Sequence, residues 1–209
     1  MKQTTISIVM GVLRPGFYDG VLKLFTLFLL VSTLPANRAA AQEPGQAFKL
    51  YAGQALPDSL LNAELRVLGA GASGALKLAD FKGKPFIIDF WASWCGSCIK
   101  SLPHVDSIFK ANGQALGLVL VNISARDRDA EKLARFIDSF LKDHKGFSVP
   151  FLAQNELFAR YFHIQTLPCY VWVGGDGRIK AISGYGTFTD QNVSRFLKGG
   201  GIVIKDGRL

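Results

Sequence analysis

Apolar and polar positions fall into blocks along this chain, and the period of the pattern changes from block to block. Residues 64–68 and 75–78 flank a glycine-rich stretch and predict a hairpin. Residues 85–91, PFIIDFW, form an almost unbroken apolar run, the pattern of a strand covered on both faces. From Cys95 to about residue 111 the spacing becomes helical, with Cys98, Leu102, Val105 and Phe109 on one stripe. Residues 116–123, LGLVLVNI, predict a second buried strand. Residues 129–144 predict an amphipathic helix with Leu133, Phe136, Ile137, Phe140 and Leu141 on its apolar face. Residues 149–152 read as extended, and residues 155–162 as a helix capped by Asn155. A hairpin of residues 169–173 and 178–183 turns at Gly174-Gly175-Asp176-Gly177, and residues 190–197 close with a short helix.

Strands and helices that alternate and then end in a hairpin and a last helix predict an α/β three-layer sandwich with a mixed central sheet. Ligands of such sheets sit at the carboxyl ends of the strands. The first buried strand runs out at Cys95.

The N-terminal block is different. Residues 24–34, LFTLFLLVSTL, are a short apolar run preceded by Lys2, Arg14 and Lys23 and followed by Ala39-Ala40-Ala41. That order predicts a secretory signal peptide over residues 1–41, with Met10 as an alternative start. An uncleaved anchor is the competing reading, although a span needs roughly 20 apolar residues. Residues 42–52 then form a lead-in, and residues 53–209 one domain without repeats. A periplasmic or secreted location follows from the leader.

The chain has 209 residues, 49% hydrophobic and 19% charged, enough for a full core. The formal net charge is +8, of which cleavage after Ala41 removes three. The basic residues form no run, so neither a nucleic-acid stripe nor a polybasic membrane patch is expected.

Three cysteines are too few for a disulfide-stapled scaffold. Two of them lie in Trp91-Ala92-Ser93-Trp94-Cys95-Gly96-Ser97-Cys98. Zinc would need two more ligands at matching spacing, and Cys169, His104, His144 and His163 do not supply them. Haem attachment would need His after Cys98, where Ile99 stands. A redox pair at a strand-to-helix junction is the remaining reading, with no metal and no cofactor. Cys95 at the helix start is expected to be the solvent-facing nucleophile, its thiolate favoured by free N–H groups and the helix dipole. Cys98, one turn further in, is expected to resolve the mixed disulfide. Asp89, a carboxylate in an apolar strand, is the candidate proton acceptor for that step.

The stretch from Gly83-Lys84-Pro85 through Cys98 resembles the thioredoxin superfamily, and within it the TlpA/ResA-like thiol–disulfide oxidoreductases. The resemblance covers roughly residues 53–200 and implies a thioredoxin fold with a cis-proline opposite the two cysteines. Thr166-Leu167-Pro168 matches that position, which would place the Leu167 backbone where a substrate strand pairs beside Cys95. Trp94, Gly96, Ser97, Leu167 and Pro168 are therefore the expected substrate contacts. Pro103 matches the kink of the family's first long helix. Departures are Ser97, where thioredoxins usually have Pro, Ser101, where an acidic residue is frequent, and Val119-Leu120-Val121, which lacks the lysine cytosolic thioredoxin places near its buried Asp.

The expected activity is reduction of disulfides in exported proteins by a monomer recharged by a membrane thiol-transfer protein, with cytochrome c maturation permitted by the resemblance. A periplasmic disulfide oxidase or isomerase and a non-catalytic peptide- or haem-binding module remain open. A thiol peroxidase would call for Thr at Ala92. Cys169 reads as a small strand residue, with a side disulfide as the alternative, and Trp91 as core. Gly69 to Gly74 spells G-x-G-x-x-G, but strand rather than helix follows, so it reads as a hairpin tip.

Overall fold

The computed structural model describes residues 49–69, 74–153 and 155–204. The expected leader over residues 1–41, lead-in residues 42–48, hairpin-tip residues 70–73 and the Asn155 side chain lie outside what is described. Among the described residues no helix is long and apolar enough to cross a membrane.

The elements run α1 (Asp58–Leu61), β1 (Leu65–Leu68), β2 (Ala75–Leu76), β3 (Phe86–Trp91), α2 (Gly96–Asn112), β4 (Gly117–Asn122), α3 (Ala130–Asp143), β5 (Phe151–Leu152), α4 (Asn155–Tyr161), β6 (Cys169–Val173), β7 (Ile179–Ser183) and α5 (Asp190–Leu197). The strands form one seven-stranded sheet in the order β2-β1-β5-β4-β3-β6-β7. β3, β4 and β5 are parallel neighbours, and the other pairings are antiparallel. The sheet is mixed and flanked by helices, as expected.

Burial explains the apolar runs. Every residue of β3, β4 and β6 is buried, because these strands lie inside the sheet and both of its faces are covered. One core holds Ile87, Trp91, Leu118, Leu120 and Trp172 under Leu102, Val105, Ile137 and Phe196 of α2, α3 and α5. The other holds Phe86, Ile88, Phe90, Val119 and Val171 with Leu60 and Phe158 of α1 and α4. Alternate residues of β3 thus feed opposite layers, as the pleat requires. Asp106, buried on α2, accepts from the backbone N–H and hydroxyl of Ser148, both at 2.7 Å, and pairs with Lys110, which ties α2 to the segment before β5. Those partners hold its carboxyl below the usual carboxylate range against the opposing effect of desolvation.

Differences from the sequence reading have local causes. The arm expected over residues 75–78 ends at Leu76, because Lys77 starts a 3₁₀ turn, its N–H donating to Asp80 at 2.8 Å. The extended segment at residues 149–152 shrinks to Phe151–Leu152, since Pro150 can accept from Leu120 N–H but has no N–H to donate. Helix α3 starts after Asp129, whose carboxylate accepts from Lys132 N–H. Neither α1 nor the 3₁₀ turn Ala125–Asp127 is foreseen from the pattern. The described part of the lead-in is bonded to the residues that follow it: Leu50 N–H donates to the Tyr161 carbonyl.

Candidate active site

Strand β3 ends at Trp91, and after four intervening residues the chain enters α2 at Gly96. Cys95 is the N-cap of that helix. Its Sγ accepts the backbone N–H of Cys98 at 3.2 Å, and the Ser97 hydroxyl lies 3.5 Å from the same sulfur. A sulfur thus occupies the place where a capping oxygen normally meets the orphan amides of a first turn. Cys95 and Cys98 are joined as a disulfide, with Cα atoms 5.3 Å apart.

The outer cysteine is less open than expected. Cys95 is 6% exposed and Cys98 1%. The order of exposure is as read, but Cys95 is not solvent-facing in this bonded form, where each sulfur shields the other. The neighbours on the chain are open: Trp94, Gly96 and Ser97 are exposed, Trp94 by 54%. A partner disulfide would therefore approach over these three residues.

Asp89 lies two residues before the end of β3, between Leu120 of β4 and Tyr170 of β6. It shares a face with Ile87 and Trp91, which point into the core that also contains Cys98 and Leu102. It is buried, its Oδ1 has no hydrogen-bond partner, and desolvation pushes its carboxyl well above the ordinary range. The Tyr170 phenol next to it is also pushed up, by burial first and then by the Asp89 charge, and it interacts with the Ser101 hydroxyl. Ser101 in turn donates to the Cys98 carbonyl at 2.8 Å. Ser101, which stands where an acidic residue is frequent in the family, thus makes an uncharged polar pair with Tyr170.

The Leu167–Pro168 peptide bond is cis. Phe90 pairs with Cys169 in antiparallel register, so the residues preceding Cys169 run alongside those following Phe90, at the sheet edge where β3 hands over to Cys95. Leu167 is partly buried against both core clusters, and Pro168 is buried. A cleft of about 1070 Å³ is lined by residues 49–52, 162–166 and 182–187 together with Cys169 and Ile204, with Tyr51 and Tyr185 exposed at its walls. Cys169 is free and buried, and desolvation followed by the Asp89 charge pushes its thiol up to about 12. Trp91 is core, packed against Phe136 and Phe151. Among the described residues no group of three His, Cys, Asp or Glu is arranged to hold a metal.

The sequence reading missed the residues that brace the loop before Cys95. Asp127 accepts from the backbone N–H and hydroxyl of Ser93 at 2.9 and 2.6 Å and from the Asn122 amide at 2.7 Å. The Ser124 hydroxyl accepts from the Trp94 indole N–H at 2.8 Å and from Arg126 N–H at 3.1 Å, and Ser124 N–H donates to Asn122 Oδ1. The Arg126 guanidinium carbon stands 5.3 Å from the centre of the Trp94 ring. The available signal was Asn122 and Ser124: polar residues at the carboxyl end of a buried strand that neighbours the cysteine strand.

Comparison with known proteins agrees with this geometry. A family profile described as thioredoxin-like matches residues 83–179. The thioredoxin-like protein YneN of Bacillus subtilis is 29% identical over 145 residues, 69% of this chain and 78% of the relative. The thiol–disulfide oxidoreductase ResA of Bacillus thuringiensis is 30% identical over 128 residues, 59% of this chain and 67% of the relative. Among solved structures, StoA from Bacillus subtilis superposes with a TM-score of 0.51 at 24% identity, covering 64% of this chain and 94% of that one, a likeness of fold.

Proposed function

Because the chain belongs to the thioredoxin-like family of ResA-type thiol–disulfide oxidoreductases, we propose that it reduces disulfide bonds in exported proteins by cycling Cys95 and Cys98 between dithiol and disulfide. The observation that carries this reading is the Cys95 sulfur at the tip of α2, bonded to the Cys98 amide, with the buried Asp89 carboxyl, its Oδ1 unpartnered, on the same side of the sheet.

In the reducing direction the Cys95 thiolate attacks one sulfur of the substrate disulfide, and the other substrate sulfur leaves as a thiolate that takes a proton from water. The Cys98 thiol then gives its proton to Asp89 and attacks Cys95 Sγ. That step releases the second substrate sulfur and leaves Cys95–Cys98 oxidised by two electrons. A thiol pair on a membrane thiol-transfer protein returns the electrons, and Asp89 returns the proton. Amides at the helix tip hold the negative charge on Cys95, and burial makes Asp89 a stronger base than an ordinary carboxylate.

The apolar leader after a basic segment supports an extracytoplasmic location, where apocytochrome c cysteines are one class of substrate needing reduction. The protein acts as a monomer, with Trp94, Gly96, Ser97, Leu167 and Pro168 contacting the substrate chain. The test is a trap: Cys98→Ser should accumulate mixed disulfides between Cys95 and exported proteins, resolved by dithiothreitol on a gel, and Cys95→Ser should accumulate none. Equal trapping by both variants overturns the assignment. Equilibration of the pair with glutathione decides direction, and a strongly oxidising potential would favour the oxidase reading instead.

A further inference from the structure

The turn that follows β4 places a charge over the exposed aromatic ring next to Cys95. Trp94 immediately precedes Cys95 and is 54% exposed, yet its ring is not free to wander, because its indole N–H is bonded to Ser124. The same hydroxyl accepts the Arg126 amide, so one oxygen fixes both the ring and the backbone that carries the guanidinium. Asn122 and Asp127 complete the frame through Ser124 and Ser93.

Arg126 is exposed and makes no ion pair among the described residues. The guanidinium carbon lies 5.3 Å from the Trp94 ring centre, and no hydrogen bond among the described residues engages the guanidinium N–H groups, which form the fork that matches a carboxylate. The acidic groups nearby on the chain are occupied: Asp127 by Ser93 and Asn122, Asp129 by the first turn of α3. Residues 91–102 contain no Asp or Glu, only the exposed Lys100 as a charge. A chain approaching Cys95 over Trp94 meets positive charge.

We infer that Arg126, held on Trp94, is a specificity-determining residue that favours substrates carrying a carboxylate side chain beside the target cysteine. The inference rests on the thiol–disulfide exchange proposed above and adds the chemistry of the substrate.

The experiment compares two disulfide-bridged peptides that differ only in Glu or Lys next to the cysteine, reduced by the dithiol protein, with neutral 2-hydroxyethyl disulfide as a third substrate. For the wild type, kcat/KM for the Glu peptide should exceed that for the Lys peptide by about three- to tenfold, mostly through KM, the scale of exposed charge pairs. The preference should shrink at high salt. R126Q should bring the ratio close to one, and R126K, which keeps a cation over the ring, should restore part of it. The same ratio in wild type and R126Q, or a wild-type preference for Lys, overturns the inference while leaving the exchange reading intact. Failure of the wild type to reduce any of the three substrates defeats the exchange reading and this inference with it.

Discussion

Asp127 accepts two hydrogen bonds from Ser93, at 2.9 Å from the backbone N–H and 2.6 Å from the hydroxyl, across 34 residues of chain. The contact pins the loop that delivers Cys95 to the turn following the neighbouring strand β4, so the reactive sulfur is positioned from two strands rather than one. Asp127→Ala leaves the partly buried Ser93 amide and the Asn122 amide without their acceptor. The expected loss is about 1.5–3 kcal/mol of unfolding free energy, the usual cost for bonds to a charged group. Urea unfolding at neutral pH checks it, and a loss within error of zero would mean that water replaces the carboxylate without penalty.

Cys95 should ionise well before Cys98. In the bonded form the Cys98 amide is aimed at the outer sulfur, and the helix tip favours negative charge there once the bridge is reduced. Iodoacetamide labelling across pH should show Cys95 reacting at half its maximal rate below about pH 7.5, against about 8.5 for an ordinary cysteine. Cys98, 1% exposed in the bonded form, should lag behind. Equal rates at pH 7 would contradict the capping geometry.

Asp89 provides a pH signature. Burial raises its pKa in the folded protein above the unfolded value of 3.8, so the folded state holds a proton that the unfolded state releases. The sign follows: stability is full below that unfolded value and falls as pH rises toward the folded one. Wild-type Tm should therefore decline across this window more steeply than that of Asp89→Asn, which cannot ionise. Turnover of the variant should be slower at neutral pH, because Cys98 loses its proton acceptor. Parallel Tm curves for the two proteins, or an unchanged rate, would remove Asp89 from its role.

Cys169 should be a bystander. Its thiol is buried and pushed up to about 12, so almost no thiolate exists at pH 8. Native reduced protein should take up two equivalents of alkylating agent at that pH and the denatured protein three. Cys169→Ala should retain disulfide turnover, and a loss of more than about tenfold in that variant would give the third sulfur a part in the reaction.

Most of this was written in the local pattern. The apolar runs at residues 85–91 and 116–123, short and rich in β-branched and aromatic residues, predict strands covered on both faces, and the covered strands β3 and β4 are there. The Cys95–Cys98 spacing at a strand-to-helix change identified the redox pair, since capping and helix dipoles act within a single turn. Asp89 was visible as a lone carboxylate in an apolar run, because desolvation depends on surroundings that the run itself announces.

What the sequence could not determine is what depends on contacts between distant segments. No local pattern links Ser93 to Asp127 or Trp94 to Ser124, which meet because β4 lies parallel beside β3 and both strands end at the same edge. The polar pair of Ser101 and Tyr170 joins a helix to the far side of a strand pairing. Even the low exposure of Cys95 is a tertiary fact: spacing sets which sulfur is outer, but only the packed surroundings and the closed bridge decide how much solvent reaches it. Backbone propensity and hydrophobic period act over a few residues, whereas hydrogen bonds and burial act over a few ångströms of space, and folding alone converts one measure into the other.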